Sequence, residues 1–109
     1  MKTIKAADGA SYDAAKHFNV TAVKKLEPSI SLRTTVAVAT FQPNGGAEMS
    51  SSEAERVYYV IDGSITVKGN SESHTLSRGD LIYIAPGETR EIAINGGKPA
   101  TTLVIIVKS

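Results

Sequence analysis

The chain has 109 residues, 41% of them hydrophobic and 21% charged, with 12 Lys+Arg against 11 Asp+Glu. That composition implies one globular domain rather than a disordered or fibrous chain, and such a length hides about two-thirds of its unfolded surface in a single core. A two-domain enzyme with an interdomain cleft is excluded, the absence of Cys excludes disulfide and thiolate chemistry, and a net charge of +1 with interspersed signs makes nucleic acid an unexpected partner.

The first ten residues, MKTIKAADGA, lack the apolar stretch of a signal peptide, so a cytoplasmic location is expected. Tyr12–Phe18 reads either as one helical turn or as a surface segment leading into the strand-like Val20–Leu26. Residues 1–30 are therefore set apart as an N-terminal segment that packs on the main body or on a partner, and residues 31–109 form that body. From residue 31 onward short β-branched or aromatic runs alternate with turn residues, and no segment carries a 3.6-residue apolar repeat. The expected class is all-β. Its predicted strands are Ser31–Phe41, Arg56–Ile61, Ser64–Lys68, Ser73–Leu76, Asp80–Ile84, Arg90–Ile94 and Thr101–Val107. Gly- and Pro-bearing turns separate them, and Asp62-Gly63 is the sharpest, matching a two-residue type I′ hairpin. The tract Pro43–Ser52 (PNGGAEMSSS) reads as a loop, with Gly45-Gly46 allowing it to act as a lid. The longest apolar run, LVIIV near the C-terminus, is far shorter than the ~20 residues of a membrane helix, so no membrane association is expected.

The strands RVYYVI and DLIYI are apolar at both parities, unlike a strand with one wet face. One side is expected to pack the interior and the other to meet a second sheet or a second subunit, which points to a homodimer.

Residues 55–92, ERVYYVIDGSITVKGNSESHTLSRGDLIYIAPGETREI, resemble the cupin family in the YYVIDGSITV stretch, the Arg78-Gly79-Asp80 turn and the IAPGETRE segment. The resemblance implies a cupin-type double-stranded β-helix, a jelly-roll barrel, and says little about activity, because such folds host many chemistries. The family's motifs, G-x5-H-x-H-x3,4-E-x6-G and G-x5-P-x-G-x2-H-x3-N, imply three His and one Glu holding a divalent metal inside the barrel. Anchored on Gly63, the Glu position falls on Arg56 and the His positions on Met49 or Ser50 and on Ser51 or Ser52; anchored on Gly79, the last His position falls on Arg90. No metal and no other cofactor is expected, since an arginine cannot deprotonate to serve as a ligand. His17 and His74, outside the motifs, read as surface or structural histidines.

Two arginines in a shared barrel ask for an anion. Arg56 and Arg90 therefore read as a charge clamp for a small carboxylate metabolite, with Tyr58 orienting it and Met49, Ser50 and Ser52 near the mouth. Against this stands an ion-pair plug, in which the arginines pair with Glu48, Glu53, Glu55, Glu88 or Glu91. A third possibility is that Glu55 rather than Arg56 faces inward. Tyr58 shares the face of Arg56, and Tyr83 is a second phenol; packing is the alternative for both. The serines lack a His-acid pair to activate one as a nucleophile. If the pocket is catalytic, the arginines would stabilise a developing enolate or carboxylate, with Glu48, Glu53 or Tyr58 moving a proton in a metal-independent isomerase, lyase or hydrolase step on a small organic acid or sugar acid. A filled barrel with a structural or dimerisation role is the remaining reading.

Overall fold

In the computed structural model, which describes residues 1–109, the alternation resolves into nine antiparallel strands and no helix. They are β1 (Ala10–Tyr12), β2 (His17–Leu26), β3 (Thr34–Ser50), β4 (Glu55–Asp62), β5 (Ser64–Lys68), β6 (Ser73–Ser77), β7 (Leu81–Ile84), β8 (Arg90–Ile94) and β9 (Ala100–Val107). The order β6-β5-β8-β3-β9-β4-β7, with β2 and β1 added beside β3, folds into two facing layers that share β3. The first half of β3 pairs with β9 and β2, and the second half with β8. This is the all-β barrel that the sequence predicts.

Period-two patterning decides which residues face inward. Thr35, Ala37, Ala39 and Phe41 on β3, Tyr58 and Val60 on β4, and Thr102 and Val104 on β9 are buried, facing Ile65, Val67 and Ile92 from the other layer. Each large apolar side chain so buried contributes about 1.5–3 kcal/mol. Thr102, wholly buried, donates its hydroxyl proton to the Ala39 carbonyl at 3.2 Å. The small side chains of Ala22 and Ala39 leave unfilled space at one end of the barrel, where they line its cavity.

Two local expectations are overturned. Asp62-Gly63 is no hairpin: β4 pairs with β7 and β9, while β5 pairs with β6 and β8, so the dipeptide carries the chain from one layer to the other. Gly63 alone takes a positive φ, of 83°, and a Cβ there would come within 2.8 Å of the Ala100 Cα. The sequence signal identified a need for glycine and misassigned its cause. The tract Pro43–Ser52 is likewise no lid. All but its last two residues belong to β3, with Gly46 paired to both Phe18 and Ala93. A Cβ at Gly46 would overlap the Ile92 carbonyl oxygen, so the glycine serves close backbone approach rather than motion. Pro43 is accommodated because the ladder with β2 skips from Phe41 to Gly46, sparing the missing N–H.

The N-terminal segment forms β1 and β2 instead of a helical turn. β2 pairs with β3 from Val20↔Phe41 to Leu26↔Val36 and so extends the first layer of the same chain. No helix is long and apolar enough to cross a membrane.

Candidate functional site

A cavity of about 570 Å³ opens at one end of the barrel, lined by β1, β2, β3, β4, β8 and β9. Its apolar floor includes Val20, Ala22, Phe41, Val104 and Ile106. Its charged groups are Lys16, Lys24, Arg56, Arg90 and Lys108, and no Asp or Glu lines it. A chain that is nearly neutral overall thus concentrates positive charge around one recess.

Arg90 opens β8 and is 3% exposed. Its Nε donates to Tyr58 Oη at 3.1 Å, and its Nη1 donates to Ser50 Oγ at 2.8 Å and to the Glu48 carbonyl at 3.3 Å. All three acceptors are neutral. Arg56 on β4 also lines the cavity, and its Nε is buried with no hydrogen-bond partner. Neither guanidinium has a carboxylate oxygen within 4.0 Å; the one ion pair in the chain is Glu72–His74, at 2.7 Å. Glu55 lies instead beside Tyr83 on the outer face, where its carboxylate raises the Tyr83 pKa. Arg56, not Glu55, therefore faces inward.

Arg56, Arg90, Tyr58, Met49 and Ser50 come together at the cavity, and Ser51 joins them. Ser52 does not: its Oγ accepts from the Ala54 amide in a turn, and its carbonyl accepts from Gly87. Glu48 and Glu53 are exposed and away from the lining, Glu48 reaching Arg90 through its backbone alone. Tyr83 is 53% exposed in an outer groove with His74.

Tyr12 and His17 also line the cavity and had no motif to mark them. Burial raises the Tyr12 pKa, as does Tyr58, against an opposing effect of Arg56. His17 stacks on Phe41 with ring centroids 6.1 Å apart, and its Nδ1 bonds the Ala15 carbonyl at 2.8 Å. Burial first, then the charges of Arg90 and Arg56, hold its pKa below the usual imidazole range, opposed by the Ala15 bond. Period-two alternation, which puts Val20, Ala22 and Lys24 at the cavity, would place Phe18 there; the register shift between Phe18 and Val20 brings His17 to that face instead, and nothing in the sequence marks the shift.

The lining residues do not make a metal donor set. One imidazole is present, guanidiniums occupy two of the ligand positions implied by the motifs, and no group of three or more His, Cys, Asp or Glu is placed to hold an ion anywhere in the chain.

The cupin domain model matches residues 37–106. The chain belongs to the cupin family. This cupin is 29% identical over 108 residues to a beta-D-galactosidase of Mycobacterium tuberculosis, covering 97% of this chain and 93% of that protein. Among solved structures it is similar to the polyketide cyclase RemF of Streptomyces resistomycificus, with a TM-score of 0.84 and 20% identity over 100% of this chain and 80% of that one. A predicted oxalate decarboxylase of Thermotoga maritima superposes with a TM-score of 0.83 at 13% identity, covering 99% and 100%. At such identities the structural likeness speaks for the fold.

Proposed function

We propose that this cupin binds a small carboxylate metabolite in a metal-independent barrel pocket. The observation that carries the reading is the pair Arg56 and Arg90, partly or wholly buried, lining an open cavity without a carboxylate beside either of them. Burying an uncompensated guanidinium is costly, and an anionic ligand relieves that cost while gaining charge-assisted hydrogen bonds of about 1.5–3 kcal/mol each. The ion-pair plug lacks its carboxylates, and a filled barrel lacks support beside a cavity of about 570 Å³. Metal independence rests on the donor set.

Thermal-shift screening of EDTA-treated protein against small carboxylates, phosphates and neutral sugars tests the reading. A ligand at ~100 times its dissociation constant adds about 2.7 kcal/mol of stability. Stabilisation by a carboxylate, abolished in Arg56→Met and Arg90→Met, is expected; silence across the acids, or stabilisation that survives both substitutions, sinks the proposal.

The relation to a beta-D-galactosidase favours a second reading, hydrolysis of a β-D-galactoside. Glycoside hydrolysis ordinarily uses two carboxylates flanking the scissile bond. The cavity offers none, which leaves His17, Tyr12 and Tyr58 as its proton carriers. Release of nitrophenol from a nitrophenyl β-D-galactoside, lost in His17→Phe, would favour this reading over simple binding.

The partner we propose is a second copy of the chain, with a cytoplasmic setting retained from the sequence. Tyr59, Ile61, Leu81 and Tyr83 are exposed on the outer face of β4 and β7, next to Leu103 and Ile105 of β9, and no element of the chain covers them. The patch combines apolar breadth with little charge to select another partner, and a twofold interface places it against itself.

A further inference from the structure

Lys16 turns the chain into β2 with φ 60°, and His17 follows with its ring at the cavity. The Ala15 carbonyl can only accept, so the Nδ1 bonded to it at 2.8 Å carries the ring proton. At neutral pH the imidazole is uncharged, which leaves the lone pair on Nε2, and no protein group donates to that nitrogen. The charged groups of the cavity are guanidinium and ammonium donors, and its hydroxyls, Tyr58 Oη and Ser50 Oγ bonded to Arg90 among them, donate as well as accept. His17 Nε2 is the one side-chain nitrogen or oxygen of the recess that can only accept.

A simple carboxylate satisfies the donors and leaves that acceptor unused, whereas a carboxylate that also carries hydroxyl groups satisfies both. The apolar floor, with Phe41 beneath His17, suits the C–H face of such a molecule. We propose that His17 is a ligand-binding residue whose Nε2 accepts a hydrogen bond from a hydroxyl of the ligand, and that the ligand class is a polyhydroxylated carboxylate. Its carboxylate lies on Arg56 and Arg90 and its hydroxyls face His17. The inference rests on the cavity being an anion site.

Isothermal titration with D-gluconate and hexanoate, six-carbon acids that differ in their hydroxyls, separates the two ideas. At pH 7.5 the native protein is expected to bind gluconate about tenfold more tightly than hexanoate, the worth of one well-made hydrogen bond. His17→Phe keeps the stacking on Phe41 and removes the acceptor, so the gluconate advantage is lost while hexanoate affinity stays. Nitrogen NMR of the native protein supplies a readout independent of the variant's folding: the His17 Nε2 resonance shifts toward the hydrogen-bonded position with gluconate and not with hexanoate. Equal affinity for the two acids, an unmoved Nε2 resonance, or an unchanged gluconate preference in His17→Phe overturns the role of His17. If hexanoate binding still disappears in Arg56→Met, the anion site survives that failure; if neither acid binds, both proposals fall.

Discussion

Arg90 Nε donates to Tyr58 Oη at 3.1 Å, joining the start of β8 to the middle of β4 across the barrel interior. The bond fixes the guanidinium plane without neutralising it, so the charge remains available to a ligand. In Tyr58→Phe the donor is left buried without its acceptor, costing about 1.5–3 kcal/mol of stability. Chemical denaturation checks this, and the cost should shrink sharply when Arg90→Met is already present, because the stranded donor is then gone.

Removing Arg56 should have the opposite effect on stability. Arg56 Nε is buried without a partner, a condition that costs about 1–3 kcal/mol. Arg56→Met, similar in length and uncharged, is expected to melt at or above the native temperature while losing carboxylate binding. A large drop in melting temperature would indicate a hidden ion pair.

His17 makes stability depend on pH. Its folded pKa lies below its unfolded value of about 6.5, so its contribution is complete above that value and is lost as pH falls through it toward the lower folded value. The groups facing it across the cavity are Arg56 and Tyr58 on β4, Arg90 on β8, Tyr12 on β1, Lys16 and Lys24 beside and on β2, and Lys108 after β9. Five of the seven are cations, and the charges of Arg90 and Arg56 add to burial in opposing its protonation. A bound anion counters them and draws the proton back. Stabilisation by hexanoate should therefore be larger at pH 5.5 than at pH 8, and His17→Phe should flatten that difference in thermal melts.

Gly46→Ala tests the corner of β3. The added Cβ meets the Ile92 carbonyl in a strand flanked on both sides, and overpacking of this kind costs about 1–3 kcal/mol. A lid would tolerate the change. A lowered denaturation midpoint is expected.

The outer apolar face yields a prediction about assembly. Leu81→Glu places charge where Leu81 and Tyr59 stand paired across β7 and β4. Sedimentation velocity should show a dimer for the native chain and a monomer of unchanged circular dichroism for the variant.

Much of the barrel was legible in the sequence because strands with one inward face announce themselves by parity. Ser64–Lys68 and Arg90–Ile94 are predicted with the bounds that β5 and β8 have. The motif register also brought Arg56, Arg90 and Met49 to one cavity. What escaped depends on contacts between distant segments. Asp62-Gly63 has a hairpin's composition, yet its glycine answers to Ala100 on β9, and Gly45-Gly46 look like a hinge until three strands are seen to converge there. His17, read from the sequence as a surface or structural histidine, was misplaced for the same reason: only the pairing of β2 with β3 carries it to the arginines.

The most direct test of a cationic, metal-independent pocket requires no knowledge of the natural ligand. Crystals soaked in selenate and measured at the selenium edge should show an anomalous peak inside the barrel, within hydrogen-bond reach of Arg56 and Arg90. A cavity with no oxyanion, in which a glutamate side chain lies against both guanidiniums or a divalent metal is bound, would contradict the account.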